Sequence, residues 1–159
     1  MKKFIGIEAG GTKFVCVYGS SPDDLEDRVV IKTRSPAETM KAVFEYIRSV
    51  QKKVEIAAIG AAFFGPLDLN PKSPTYGHVT TTPKTDWCFY DAVGALKSAF
   101  NLPVGFDTDV NGAALGEHRW GSAQGLTDFI YLTVGTGIGG GVMVGGELLH
   151  GAMHPEMGH

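Results

Sequence analysis

Residues 35–64 read SPAETMKAVFEYIRSVQKKVEIAAIGAAFF, and this stretch decides the fold class. Ser35 and Glu38 stand at capping-box spacing, with Pro36 at the first helical position. Met40, Val43, Phe44, Ile47 and Val50 follow at helical spacing and make one apolar face. Lys52 and Lys53 lie in the last turn, where cations suit the helix dipole. Ile56 to Phe64 then runs with almost no polar residue, the pattern of a central strand buried on both faces.

Toward the N-terminus, Phe4 to Ile7 is a short apolar run ending in the turn Ala9-Gly10-Gly11-Thr12. Phe14, Val15, Val17 and Tyr18 read as a second strand. Ser20 to Asp27 is polar and reads as a loop, and Arg28 to Arg34 as a third strand. Two strands around a Gly-Gly turn form a hairpin, which the third extends into a meander. Toward the C-terminus, Gly65 to Trp87 holds Pro66, Pro71, Pro74 and Pro83. It reads as a long loop with a short hairpin, of the kind that is often functional. Asp91 caps a second helix to about Asn101, and Pro103 to Phe106 is a short strand. Asp107 to Asp109 sits at its carboxyl end, and Asn111 to Trp120 reads as a third helix. Phe129–Val134 and Val142–Val144 are strands around Gly135–Gly141, and Gly145-Gly146 turns into Glu147–Leu149. Alternation of this kind means α/β with a mixed sheet. The late hairpin restarts the opening pattern, so we expect one domain over 1–120 and a second beginning over 121–159.

Composition narrows the class. The chain has 159 residues, 22 of them glycine, about twice ordinary usage. No G-X-Y period runs along it, which excludes collagen. Charged residues are 19%, apolar residues 43% and the formal net charge −3, which argues against disorder and against a polyanion partner. Cys16 and Cys88 are the two cysteines and form no CxxC, so a reducing cytosol is expected. Glu8 interrupts the apolar run of the N-terminus, leaving no signal-peptide core. Phe129 to Gly146 is uncharged for 18 residues, but its seven glycines suit a strand–turn–strand better than a membrane span.

Five segments could carry chemistry. Gly10-Gly11-Thr12-Lys13 offers turn amides, a hydroxyl and a lysine to phosphate oxygens, or is an ordinary hairpin turn. It is no Walker A loop, because a strand follows it. Thr133 to Val142 matches GxGxxG, yet a strand replaces the helix that the dinucleotide fingerprint needs. It also matches the protein-kinase glycine loop, but no HRD or DFG segment is present. What remains is a strand–glycine turn–strand whose amides can surround a phosphate. Asp107-Thr108-Asp109 at a strand end offers a general base or metal carboxylate, or Asp109 caps the helix. In the tail, His154-Pro155-Glu156 has the HxE of zinc deaminases without their PCxxC. Glu156 and His159 are spaced to share a helical face, and one histidine cannot make a zinc site. Thr80-Thr81-Thr82-Pro83-Lys84 with Trp87 suits a sugar face, or is a plain surface loop.

In this order, IEAGGTK (7–13), TTTPK (80–84), DTDVNGAALGE (107–117), TVGTGIGGG (133–141) and HPEMGH (154–159) resemble the ROK family of sugar kinases and repressors. Within it they are most similar to the bacterial fructokinase branch. The resemblance implies the actin-like, hexokinase-like (ribonuclease H-like) ATPase fold, two α/β domains around a cleft. It implies ATP-dependent phosphorylation of a hexose, fructose to fructose 6-phosphate before mannose or glucose. The competing readings are a sugar-sensing regulator without kinase activity and a non-catalytic actin-like assembly protein. A first strand beginning at Phe4 leaves no room for a helix-turn-helix.

The resemblance also implies roles. Gly10, Gly11, Thr12 and Lys13 form the first phosphate turn, and Thr133, Gly135, Thr136, Gly137, Gly139 and Gly140 belong to the second. Asp109 is the base for the sugar hydroxyl, with Mg²⁺ as the expected ion. Thr108, Glu156 and His159 contact the sugar, with Gly65, Pro66 and Asp68 in a loop beside it. His159 is also the first ligand of a structural zinc completed outside this chain. Two residues depart from the family pattern. Glu8 stands where most members have Asp, and can still reach Mg²⁺ through water. Thr108 stands where most have Asn, which implies a changed substrate hydroxyl pattern and favours fructose over glucose. The implied partners are a small hexose and a second copy of the full-length protein, with no nucleic acid or membrane, in the cytoplasm. The chain is expected to be part of a kinase about twice as long, holding half an ATP cleft and showing little catalysis unaided.

Overall fold

The computed structural model describes residues 2–135 and 137–151; Thr136, Glu156 and His159, named above as site residues, lie outside them. Strands β1 (Lys3–Ala9), β2 (Lys13–Gly19), β3 (Leu25–Lys32), β4 (Ile56–Phe63) and β5 (Val104–Thr108) form one sheet, in the order β3-β2-β1-β4-β5. The first three make an antiparallel meander, and β1, β4 and β5 run parallel. This is the mixed α/β sheet that the alternation predicts. β3 begins at Leu25, before the predicted Arg28, because a 3-10 turn at Pro22–Asp24 reverses the chain within the polar stretch.

Helix α1 (Pro36–Gln51) starts as its sequence dictates. The Ser35 hydroxyl accepts from the Glu38 amide and donates to its carboxylate at 2.7 Å. Met40, Val43, Ile47 and Val50 are buried together, each stabilising by about 1.5–3 kcal/mol. Phe44 sits at the rim, edge-on to Phe100 at 5.4 Å, and Tyr46 takes a core position that the apolar pattern misses. α1 and α2 (Ala92–Phe100) cover one face of the sheet, where Ile5, Ile7, Phe14, Cys16, Ile59 and Phe63 lie. Burial there pushes the Cys16 thiol up to about 12, so it packs as an inert apolar residue.

The expectation that β4 is buried on both faces holds for one. Ile59, Ala61 and Phe63 are buried, whereas Gly60 is exposed and Ala58 and Ala62 are partly so. The unbroken apolar run hides an alternation of large and small side chains. On the small-residue face Gly6, Gly60 and Gly105 stand in register on three adjacent strands. Side chains alternate along a strand, so this face also carries Glu8, Ala62 and Asp107, again in register.

Helix α3 (Asp109–Trp120) packs on that second face and against a separate antiparallel sheet of β6 (Phe129–Val134), β7 (Ile138–Val144) and β8 (Glu147–Leu148). A Cβ on Gly112 would press on Ala62 at 2.7 Å, and one on Gly141 would meet the Val110 carbonyl oxygen at 2.5 Å. Glycine is therefore what lets α3 lie between two sheets at backbone distance. Gly141→Ala in the complete gene product is expected to cost about 1–3 kcal/mol, read from denaturant midpoints. An unchanged midpoint would show that the helix does not bear on β7 this closely. β7 and β8 are joined by Gly145-Gly146, both at positive φ (60° and 81°), as a type I′ hairpin turn requires.

Candidate active site

The carboxyl ends of β1, β4 and β5 converge beside the N-terminus of α3. A cleft of about 760 Å³ opens between the glycine-lined sheet face and α3, with Glu8, Asp107 and Asp109 on its wall and Leu115 and Trp120 opposite. A smaller hollow of about 310 Å³ lies on the outer side of α1 against Arg48 and Tyr90, away from these acids.

The β5–α3 junction is built by local hydrogen bonds. Thr108, not Asp109, is the helix cap: its hydroxyl accepts from the Asn111 amide at 3.2 Å. Asp109 is thereby the first helical residue, and its Oδ1 accepts from the Val110 amide at 2.9 Å. An anion there interacts favourably with the helix dipole. Thr108 is 2% exposed, in register with Phe63 on the core side of the sheet. The structure therefore employs it in the cap, away from the cleft wall that holds Asp109.

Asp107 has several partners. Oδ1 accepts from its neighbour Thr108 N and from Asn111 Nδ2, both at 2.8 Å. Its Oδ2 meets His150 Nε2 at 2.7 Å. The parts played by Asn111 and His150 were not read from sequence. Asn111 lies inside DTDVNGAALGE, but its burial becomes apparent only once α3 is capped at Thr108. His150 sits in no motif.

The Gly10-Gly11 turn is partly committed to its own hairpin. The Gly10 amide donates to Lys13 O at 3.0 Å, and Gly10 O accepts from Thr33 Oγ1 at 2.8 Å. A Cβ on Gly10 would meet Lys13 O at 2.9 Å, so this glycine is required by the turn itself. Thr12 and Lys13 are exposed beside it. In the second glycine turn, the Gly135 amide donates to Gly137 O at 2.9 Å, and both glycines face open space. Gly139 differs: a Cβ there would strike Val110 Cγ1 at 2.9 Å. Part of the glycine density is thus explained by packing against α3, with Gly135 and Gly137 left as the open part of the turn.

Gly65 and Pro66 follow β4 after Phe64, at the same carboxyl edge. The Phe64 amide bonds Ala9 O, and Pro66 O accepts from the Thr80 amide, both at 2.8 Å. The Asp68 carboxylate is engaged within its loop by Ser73 and Thr75 hydroxyls and the Asn70 amide. The Ser73 hydroxyl first, then Thr75, holds it below the usual carboxylate range. Neither alternative for Trp87, sugar face or surface loop, survives. It is 1% exposed, packed among Phe14, Phe63, Phe64 and Tyr90, and its Nε1 donates to Arg34 O at 2.8 Å.

Among the described residues no cluster of three or more His, Cys, Asp or Glu is assembled to hold a metal, and no helix is long and apolar enough to cross a membrane. His159, proposed for zinc, lies outside them. Glu8 is exposed on the cleft face, at the end of the strand that leads into the first glycine turn. One carboxylate completed by substrate phosphates and water is a donor set that suits Mg²⁺.

A mixed sheet with an acidic cleft at its carboxyl edge, met by a second sheet carrying a glycine turn, is an α/β arrangement consistent with the actin-like ATPase fold. The chain belongs to the ROK family, whose model matches residues 4–159. It is 46% identical over 153 residues to a fructokinase of Pediococcus pentosaceus, covering 96% of this chain and 52% of that protein. It is 45% identical over 161 residues to a fructokinase of Zymomonas mobilis, covering 99% and 54%. Its fold matches the crystal structure of a ROK family glucokinase from Streptomyces griseus in complex with glucose and AMPPNP, at a TM-score of 0.84 and 28% identity, over 99% of this chain and 50% of that one. The chain thus spans about half the length of the relatives it matches.

Proposed function

We propose that this chain supplies the sugar-binding half and part of the phosphate-binding half of an ATP-dependent hexose kinase, with fructose, giving fructose 6-phosphate, as its substrate. The observation that carries the reading is the placement of Asp109, first in α3, on a cleft wall shared with Glu8 and facing the glycine-rich sheet surface. The fructokinase relatives, at higher identity than the glucokinase structure, favour fructose.

Asp109 accepts the proton of the attacking sugar hydroxyl, and the γ-phosphoryl group is transferred in line. The Thr108 cap fixes where Asp109 projects. Glu8 would hold Mg²⁺, whose chemistry is to neutralise charge on the phosphates. The turns at Gly10–Lys13 and Thr133–Gly140 approach the phosphates, with the exposed Thr12 and Lys13 as donors. Glu156 and His159 contact the hexose beside Gly65 and Pro66. Residues 1–120 and 121–159 belong to the two units that flank the cleft, and the complete protein works in the cytoplasm as a dimer.

A coupled assay of ADP release by the complete gene product tests this with fructose, mannose and glucose. Fructose is expected to show the highest kcat/KM. Release that is independent of every sugar would overturn the reading, and a preference for glucose would overturn its substrate.

A further inference from the structure

The loop that buries Trp87 also lays a lysine on the first glycine turn. A Cβ on Gly11 would meet Lys84 Cε at 3.2 Å and nothing else within 4 Å. The end of this side chain therefore lies against the Gly10-Gly11 turn, in space that a residue larger than glycine would take. The backbone of Lys84 is held in place. Its carbonyl oxygen accepts from the Trp87 amide at 2.8 Å, and its amide donates to the hydroxyl of the buried Thr82 at 3.4 Å. Trp87 packs on Phe14, the residue after Lys13, at 5.4 Å between centroids. Loop and turn are thus fixed to one another through the core.

A lysine ordinarily extends its ammonium into water or toward a carboxylate. Lys84 is half-buried, and among the described residues its ammonium has no ion-pair or hydrogen-bond partner. The Lys13 ammonium has none either, and the Gly11 and Thr12 amides donate to no acceptor among the described residues. Two cations and two open amides at one turn make an anion site. The same loop is tied to the other side of the site. The Thr80 amide and hydroxyl both bond Pro66 O, at 2.8 and 3.1 Å, and Pro66 stands in the loop proposed beside the hexose. A cation carried between the phosphate turn and the sugar loop suits the group that passes from one to the other. We propose that Lys84 is a further catalytic residue, donating to a non-bridging oxygen of the γ-phosphoryl group of ATP; this rests on the kinase reading above. In the transfer the sugar oxygen forms a bond to the γ-phosphorus. The bond from that phosphorus to the β–γ bridging oxygen breaks, and ADP leaves with the electron pair. The hydroxyl proton goes to Asp109. Lys84 stays protonated throughout and stabilises charge on the transferred oxygens.

In the complete gene product, Lys84→Met keeps the unbranched stem and removes the charge. Its kcat is expected to fall about 10–100-fold, less than for a fully buried donor because Lys84 is half-buried. Lys84→Arg keeps the charge in a different shape and should turn over at least about threefold faster than Lys84→Met. Nucleotide binding gives a readout that a purely structural role would not move. Affinity for AMPPNP, which carries a γ-phosphoryl group, should drop about tenfold in Lys84→Met, while affinity for ADP stays within about twofold. Three results overturn the proposal: an unchanged kcat in Lys84→Met, no gain of arginine over methionine, or equal loss of AMPPNP and ADP, which would make Lys84 a cover for Gly11 and no more. Should the parent protein release no ADP with any sugar, the kinase reading itself fails, and the binding comparison decides alone. A loss selective for AMPPNP then supports the γ-phosphoryl contact. Equal loss, no loss, or a parent that binds neither nucleotide overturns it.

Discussion

Asp109→Asn in the complete gene product is expected to lower kcat for sugar-dependent ADP release by about 10²–10⁴-fold, the range for losing a positioned general base. The geometry makes this a clean substitution. Asparagine keeps the side-chain shape and retains a carbonyl oxygen for the Val110 amide that now bonds Oδ1 at 2.9 Å. The helix cap is Thr108, so the side-chain cap of α3 stays in place when Asp109 is changed. Stability should move by about 0.5 kcal/mol or less, as for a partly exposed position. The sugar and ATP KM values should change little, since only proton transfer is lost. A variant with wild-type turnover would remove Asp109 from the chemistry and leave the cleft a binding site only. Asp107→Asn is a poorer probe of chemistry, because its carboxylate already serves Asn111, Thr108 and His150.

Trp87→Ala is expected to cost about 3–5 kcal/mol of stability, measured by denaturant unfolding. Total stabilities are about 5–15 kcal/mol, so the variant should be partly unfolded at physiological temperature. The indole touches four aromatic rings, with Phe14 at 5.4 Å, Tyr90 at 5.2 Å, Phe64 at 5.5 Å and Phe63 at 6.4 Å between centroids. Its removal also strips the Arg34 carbonyl oxygen of its donor. Trp87→Phe separates the two contributions: it refills most of the volume but lacks the N–H, and should recover all but about 1–3 kcal/mol. The hexose KM of that milder variant should equal the parent's. A large rise in hexose KM with unchanged stability would return Trp87 to the sugar face.

The legible parts of the sequence were those whose physics is local. The Ser35–Glu38 cap and the spacing of Met40, Val43, Ile47 and Val50 place the start and the buried face of α1, because capping and helical periodicity act within a few positions; its end falls at Gln51, before the Lys52 and Lys53 expected in the last turn. The meander around Gly10-Gly11 and the hairpin at Gly145-Gly146 were readable for the same reason. Asp109 was singled out as a carboxylate at a strand end, where α/β sheets place ligands.

The burial of Trp87 is not legible in the sequence, because a proline-rich loop gives no period from which burial can be inferred. Its place follows from the docking of that loop onto Phe14 and Phe63, which are separated from it by many residues. Gly139 and Gly141 looked like phosphate glycines, and only the approach of α3 shows that a side chain there would strike Val110. The second face of β4 was hidden in the same way: alanines and glycines score as apolar, but whether they are covered depends on the layer opposite. Asp107 and His150 share no motif, and 43 residues separate them. Short-range preferences in this chain specify its elements, its fold class and the carboxylate at the junction. The pairing of distant side chains follows from the packing of α3 between two sheets, which brings the ends of remote strands within hydrogen-bond distance.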